Sequence, residues 1–398
     1  MHDISVMGGY NQESSHTESQ YSYRTDVVVG SLPSLSLSTG TPITNDAFEE
    51  FAIRGLFYRV NYSYAGKYLL EANGRYDGTS RFPKNSRFGF FPSFSAGWRI
   101  SEENFMKTTN EWLSNLKLRA SWGSIGNQVI LKSDNTPDNY PYIPDMNVYL
   151  SNWLVDGQKV TTLGAPAMVS SSFGWEKVYT LDFGFDLDLF NNKLNTTFDW
   201  YRRDTKGMLA PGMELPGVVG ASAAKQNAAD LKTYGWELKI NWHDRIGDVG
   251  YRVGFNLYDS QSEITKYDNE AGLFGKDLYR KGMKLGEIWG YVTDRFYTTD
   301  DFNADGTLKP GIPMFKGAGT VYPGDILYKN FDDDTEFIFE GDNTIHNPGD
   351  QRIIGNNTPR YQYGITAGVS YKGFDLSIFL RGVGKRDYWR TDQMAWPN

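Results

Sequence analysis

The chain has 398 residues, a net charge of −8, 22% charged and 15% aromatic residues, and no cysteine. The acidic balance offers no basic stripe to offset phosphate repulsion, which excludes nucleic acid as a partner. The missing cysteine excludes disulfides, thiolate metal sites and thiol nucleophiles. A mean hydropathy of −0.52 excludes a helical membrane protein, and no apolar run approaches the roughly eighteen residues a spanning helix needs. A strand-built membrane protein stays open, because half of each barrel strand is polar.

In chain order, residues 1–10 already read as a strand. No signal peptide opens the sequence, so an exported protein would start upstream. Tyr58, Val60, Tyr62 and Tyr64 then alternate with Arg59, Asn61 and Ser63. After the turn pair Ala65-Gly66, Tyr68, Leu70, Ala72 and Tyr76 oppose Glu71, Asn73, Arg75 and Asp77. Phe94, Ala96, Trp98 and Ile100 follow, then Leu116, Leu118, Ala120 and Trp122. The clearest run is 181–189: Leu181, Phe183, Phe185, Leu187 and Leu189 on one side, Asp182, Gly184, Asp186 and Asp188 on the other. A strand sends alternate side chains to opposite faces, so this segment meets something apolar on one side and something wet on the other.

The turn composition at 190–193 leads into Leu194, Thr196, Phe198 and Trp200. Beyond it come Tyr234, Trp236, Leu238, Ile240 and Trp242, then Tyr251, Val253, Phe255 and Leu257. Tyr361, Tyr363, Ile365, Ala367, Val369 and Tyr371 turn at Lys372-Gly373 into Phe374, Leu376, Ile378 and Leu380. Roughly a dozen such runs, each about ten residues long, have the length of tilted membrane-crossing strands. No amphipathic helix is expected between them.

Aromatic residues close the apolar faces, as at Tyr58 with Tyr76, Tyr361 with Tyr371, Trp122, Trp200 and Trp242. Amphipathic rings are comfortable at headgroup depth, although aromatics also simply favour strands. Minimal turns alternate with long connections near 128–174, 207–232 and 266–360. Short turns at one end and long loops at the other match an outer-membrane barrel whose long loops are extracellular. In a soluble domain such long loops would count against the strands.

The residues Ala72-Asn73-Gly74-Arg75-Tyr76-Asp77-Gly78-Thr79-Ser80-Arg81-Phe82 continue into Phe88-Gly89-Phe90-Phe91-Pro92-Ser93-Phe94-Ser95-Ala96-Gly97-Trp98-Arg99-Ile100. Together with the block at 116–128, Thr233-Tyr234-Gly235-Trp236-Glu237, and the blocks at 322–326, 350–356 and 359–364, this stretch resembles the barrel domain of SusC/RagA-type TonB-dependent outer-membrane transporters of Bacteroidota. The blocks keep the family's order and cover most of the chain from about Ala52 onward.

The resemblance implies an all-β fold, an antiparallel transmembrane β-barrel with about 22 strands in the complete domain. It implies residence in the outer membrane, import of oligosaccharides or peptides powered through TonB, and a SusD-like surface lipoprotein over the extracellular face. It implies no enzyme activity. The family's signal peptide, carboxypeptidase-like extension, TonB box and plug have no match here. The whole chain, 1–398, therefore reads as part of the barrel domain, with TonB reached through a plug region outside it.

Two groups of residues are candidate sites. Asp325, Asp332, Asp334 and Asp342 are hard oxygen ligands close in sequence, which suits calcium. In the family, the corresponding loop often resembles an EF-hand-like turn. The mid-loop glycine is missing here, and a solvated acidic loop is the plain alternative. Asp301, Asn303 and Asp305-Gly306 make a second, weaker candidate of the same kind. Tyr140, Tyr142, Trp153 and Trp289 lie in the long connections, where aromatic faces would stack on sugar or peptide cargo. No other cofactor and no catalytic residue is expected. The competing reading of the whole chain is a soluble extracellular β-rich glycan-binding protein.

Overall fold

The computed structural model describes residues 1–398 apart from 133–134, 147, 171–172, 212–217, 219–223, 270–271, 276–277, 318, 332–336 and 390–398. Its main sheet has 11 strands. In chain order these are β1 (His2–Tyr23), β2 (Ile43–Tyr64), β3 (Tyr68–Thr79), β4 (Phe88–Arg99), β5 (Leu113–Asn127) and β6 (Glu176–Leu189). They continue as β7 (Leu194–Pro211), β8 (Lys225–Ile246), β9 (Val249–Lys266), β10 (Arg360–Tyr371) and β11 (Phe374–Lys385). Each strand pairs antiparallel with its neighbour in sequence, so the sheet is a single meander with β1 and β11 at its edges.

Turn chemistry sets the alternation of connections. At Ala65-Gly66 both residues have positive φ, 53° and 68°, and at Lys372-Gly373 the values are 43° and 90°. Positive φ at both central residues marks the two-residue turn whose twist matches that of the flanking strands. The β6–β7 connection takes four residues, 190–193, and the β8–β9 connection two, 247–248, and β4 passes to β5 through short 3-10 turns at Ile100–Glu102 and Asn104–Thr109. All of these lie at one end of the sheet. The other five connections, 24–42, 80–87, 128–175, 212–224 and 267–359, lie at the opposite end.

Pairing also continues beyond the alternating runs, and in places into a stretch that reads from sequence as loop. β1 keeps register with β2 for its whole length, up to Tyr23 opposite Ile43. β3 pairs with β2 only from Ile53 onward, so the distal half of this hairpin projects as a two-stranded ribbon. β7 runs to Pro211 and β8 starts at Lys225, inside the expected 207–232 loop. Register shifts at 227–231 accommodate the change, and Asp230 accepts the Gly207 N–H at 2.9 Å and a Lys206 Nζ hydrogen at 2.9 Å. A bulge re-aims a strand where regular pairing gives way to a rim.

The 267–359 connection is likewise not structureless. It folds around Tyr297, Leu327 and Ile338, with Phe302, Leu308, Phe315 and Tyr328 packed against them. Short ladders join Glu287–Tyr291 to Gln351–Asn356 and Thr293–Phe296 to Ile326–Tyr328.

Candidate functional site

Cross-strand register converts the sequence alternation into two continuous faces. Along one, Val60 lies opposite Ala72, Ala72 opposite Phe94 and Phe94 opposite Trp122. Further on, Leu118, Phe185, Phe198, Leu238 and Leu257 form one line across β5 to β9. Phe94 and Phe183 each keep 49% of their surface exposed, so nothing among the described residues covers this face. An apolar face this wide and this bare needs an apolar environment.

Aromatic ladders bound the face. At the short-turn end Tyr64, Tyr68 and Trp98 stack at 6.2 and 6.4 Å. Their polar tips are held: Tyr68 Oη donates to Glu103 Oε1 at 2.6 Å, Trp98 Nε1 donates to the same oxygen at 3.1 Å, and Lys67 Nζ reaches Glu103 Oε2 at 3.1 Å. Toward the other end Phe94, Trp122 and Tyr179 stack at 6.1 and 6.3 Å. Rings with one apolar side and one tethered polar tip suit an interface between apolar and aqueous media.

The opposite face is ionic. Arg119 on β5 reaches Asp186 on β6 at 3.0 Å and Asp199 on β7 at 2.8 Å. Gly184 makes room for this pairing: a Cβ there would collide with Asp199 and come within 2.9 Å of Arg119 Nη2. Arg59 lies 3.8 Å from Glu71, and Arg75 pairs with Asp77 at 2.8 Å. Ser5, Ser95 and Ser121 leave a hollow of about 430 Å³ beside Glu71, Arg119 and Asp182. Such a wall would be costly in a dry core and is comfortable against water and polar solutes.

Removing the central cation tests this wall. Arg119→Gln leaves Asp186 and Asp199 facing each other on half-buried strands. A loss of roughly 1–3 kcal/mol is expected, the cost of breaking a buried pair discounted for partial exposure. Denaturant unfolding of the membrane-reconstituted protein measures it, and added salt should recover part of the loss.

At the long-connection end, Phe82, Ile130 and Phe173 form a buried cluster with Tyr142, Trp175 and Leu209 against it. It ties the 80–87 and 128–175 connections to the sheet. Arg81 donates through Nε to Asn139 Oδ1 at 2.9 Å and sits 4.1 Å over the Phe51 ring. Lys132 pairs with Glu49 at 3.3 Å, which braces the projecting β1–β2 ribbon.

The expected cargo-contacting aromatics do not converge on one spot. Tyr142 packs on the Phe82 cluster and donates its hydroxyl to Ser80 O at 3.2 Å. Tyr140 is half-buried beside it, its N–H bonded to Asp138 Oδ1 at 3.0 Å. Trp289 stacks on buried Phe274 at 4.0 Å, beneath the Arg280 guanidinium. Trp153 is 82% exposed.

Of the acidic residues, Asp332 and Asp334 lie outside the described residues. Asp325 accepts the Tyr322 N–H at 2.8 Å, and Asp342 accepts from Asn347 Nδ2 at 2.8 Å. Among the described residues no three His, Cys, Asp or Glu side chains are grouped to hold a metal ion.

The more strongly built carboxylate is Asp301, a member of the second, weaker acidic candidate. Arg295 clamps it through both Nη atoms, at 2.5 and 2.8 Å, and the Thr298 N–H donates to it at 2.7 Å. The Arg295 bonds, with those from Thr298, hold its carboxyl well below the usual carboxylate range. Burial raises the Tyr297 hydroxyl, and nearby Tyr291 is pushed up to about 12. Because the folded pKa of Asp301 is depressed, its stabilising contribution is complete above the unfolded value of about 4 and fades as pH falls below it. The protection of amides across 293–328, exchange relative to its intrinsic rate, is therefore expected to hold down to about pH 4 and to fall in stronger acid. In Asp301→Asn that protection should already be low at neutral pH.

Arg119 and Glu103, and the Arg295 clamp on Asp301, escaped sequence reading because their partners are set by register or by packing. For Arg119 one signal was present: with Lys117 it puts two cations on the polar face of its strand, the counterpart of the acidic face of 181–189.

Residues 2–397 match the family described as TonB dependent receptor-like, β-barrel. The chain is 28% identical over 395 residues to TonB-dependent receptor P3 of Formosa agariphila, covering 96% of this chain and 37% of that protein. It is 30% identical over 342 residues to TonB-dependent receptor SusC of Bacteroides thetaiotaomicron, covering 82% of this chain and 30% of the relative. Among solved structures, the RagAB peptide importer in its closed-closed state superposes with a TM-score of 0.70 at 21% identity, over 96% of this chain and 39% of that one. The outer membrane transporter YddB of Escherichia coli gives 0.51 at 9% identity, over 98% of this chain and 41% of its own. The chain thus spans little more than a third of the length of the relatives it matches.

Proposed function

This chain belongs to the TonB-dependent receptor β-barrel family, and from that premise we propose that it forms a continuous part of the wall of an outer-membrane importer for oligosaccharides or peptides. The family resides in the outer membrane and comprises transporters, not enzymes. In this reading the apolar face meets outer-membrane lipid and the ionic face lines the lumen. The long connections point outward, where a SusD-like surface lipoprotein closes over them. Energy enters through TonB and a plug region.

The observation that carries the proposal is the pair of faces. One is apolar, aromatic-bounded and bare. The other carries ion pairs within and across strands, with a hollow beside Glu71, Arg119 and Asp182. A soluble glycan-binding sheet would bury the first face on a second layer, and the described residues supply none. The similarity to a peptide importer and to SusC supports import as the activity. Tyr140 and Trp153 are the aromatics of the loop face available to cargo, while Tyr142 and Trp289 support the scaffold around it.

The test uses the full-length receptor expressed with its lipoprotein. Retention in the outer-membrane fraction after alkaline extraction, together with TonB-dependent uptake of an oligosaccharide or peptide, is the expected result. A chain recovered as a cooperatively folded monomer in plain buffer would overturn the membrane reading. The proposal extends calcium to the Asp-rich loop through Asp325, Asp332, Asp334 and Asp342. Calorimetric titration decides that part: saturable heat at millimolar calcium or below supports it, and a flat trace removes it.

A further inference from the structure

Arg81 is a buried charge without an ionic partner. It is 7% exposed, as is Arg280, the other buried arginine among the described residues. Arg280 pairs with Glu287 at 2.7 Å. Arg81 forms no ion pair among the described residues: its Nε donates to Asn139 Oδ1 at 2.9 Å, and its guanidinium lies 4.1 Å over the Phe51 ring. Nη1 and Nη2 have no hydrogen-bond partner among the described residues, and neither is sealed from solvent as Arg280 Nη1 is. Taking a guanidinium out of water without a counter-charge is costly. Burial pushes Arg81 below its ordinary pKa, and Glu13, too far away for an ion pair, offsets this only in part.

The surroundings hold this group in place. Asn139, which fixes Nε, donates its own amide to Glu49 Oε2 at 3.4 Å, and Lys132 neutralises Glu49 at 3.3 Å. The Arg81 backbone N–H donates to Thr79 Oγ1 at 3.3 Å, and the next residue, Phe82, is anchored in the rim cluster. Phe51 shares the face of β2 that carries Arg59 and Asn61, so the guanidinium stands on the ionic side of the sheet at its long-connection end. One face and the Nε of the guanidinium are thus occupied, and the edge that carries both Nη atoms is left over.

We propose that Arg81 is an anion-recognition residue at the mouth of the lumen, where it takes the carboxylate of an acidic cargo molecule. The inference rests on the importer reading and narrows its cargo to molecules that carry a carboxylate, from a uronic acid unit or from a peptide C-terminus. A planar guanidinium offers parallel N–H donors that match the two oxygens of a carboxylate. A neutral cargo would leave the charge unpaired, whereas a carboxylate satisfies both Nη atoms at once. The pre-set orientation also favours recognition, because Asn139 and Phe51 have already fixed the fork before cargo arrives. Tyr140, next in sequence to Asn139, is the aromatic placed to meet the body of the same cargo.

The experiment measures binding to the full-length receptor, purified with its lipoprotein, of two matched pairs of probes. One pair is tetragalacturonate and its methyl ester, and the other is an N-acetylated hexapeptide and its C-terminal amide. In one pair the free acid is expected to bind about tenfold tighter or more than its neutral twin, the size of a charge-assisted bidentate contact. The pair that shows the preference identifies the source of the carboxylate. In Arg81→Gln the ratio should fall to about one. In Arg81→Lys, which keeps the charge and loses the fork, it should fall about threefold or more, and this variant decides the matter if Arg81→Gln does not assemble. A ratio taken within one receptor does not depend on how much of that receptor folds. No preference in either wild-type pair overturns the proposal, since a carboxylate elsewhere in the receptor then meets Arg81. A preference that survives unchanged in the variants overturns it as well. A wild-type receptor without TonB-dependent uptake of any oligosaccharide or peptide overturns the underlying reading instead.

Discussion

Phe183→Arg is expected to destabilise the membrane-embedded protein by about 2–4 kcal/mol, the cost of a cation at mid-depth on the lipid face of a barrel. Phe183 lies opposite Ala120 and Trp200, in the middle of the apolar face, stacked on Trp200 at 6.2 Å. An arginine there must leave its guanidinium in hydrocarbon or bend it toward headgroups past neighbouring rings. The control is Ser121→Arg, on the other face opposite Asp182 and beside the ionic hollow. It adds the same cation to a wet, acidic wall, so little change is expected. Unfolding titrations in lipid vesicles, with heat-dependent gel mobility as a second readout, measure both. Equal effects of the two variants would mean that the faces do not meet different media, and the membrane assignment would fail with them.

Phe82→Ala is expected to cost about 3–5 kcal/mol, the range for removing a large aromatic from a closed core. Phe82 is 1% exposed and meets Trp175 edge-on at 5.4 Å, within the cluster that also buries Ile130 and Phe173. Collapse into the cavity is hindered because Phe91 already holds the other side of Trp175 at 5.0 Å. The lost packing would free the 128–175 connection from the sheet. Protease cleavage should therefore appear first within 128–174, before the strands themselves unfold. Chemical unfolding gives the magnitude, and the Trp175 fluorescence reports the local step. A loss below about 1 kcal/mol would show that the rim cluster is not a core in this sense.

These two residues also mark where sequence reading succeeds and where it stops. Phe183 announced its role through its neighbours, because the alternation of 181–189 is a period-two signal carried within nine residues. Phe82 gave no such signal. It lies in a short connection, and its partners Ile130, Phe173 and Trp175 are distant in sequence and brought together only by the path of two loops. The candidate contacts divide the same way. Trp153 and Trp289 look alike in sequence, yet one is open and the other lies against Phe274 and Arg280. The acidic residues divide likewise: Asp325 and Asp342 accept bonds within their own turns, while Asp301 is clamped by Arg295, a difference that their similar sequence settings do not show.

By itself the amino-acid sequence determined the strands, their two chemically opposed faces, the tight turns at one end and the family block order. All of these are local properties of the chain, since strand periodicity and turn dihedrals depend on residues within a few positions of one another. The tertiary structure alone decided which strands neighbour which and in what register. It thereby seated Arg119 between Asp186 and Asp199 and gave the 267–359 connection a core of its own. Those features depend on contacts between residues far apart in the chain, and a shift of one position in register would turn every side chain of a strand to the other face.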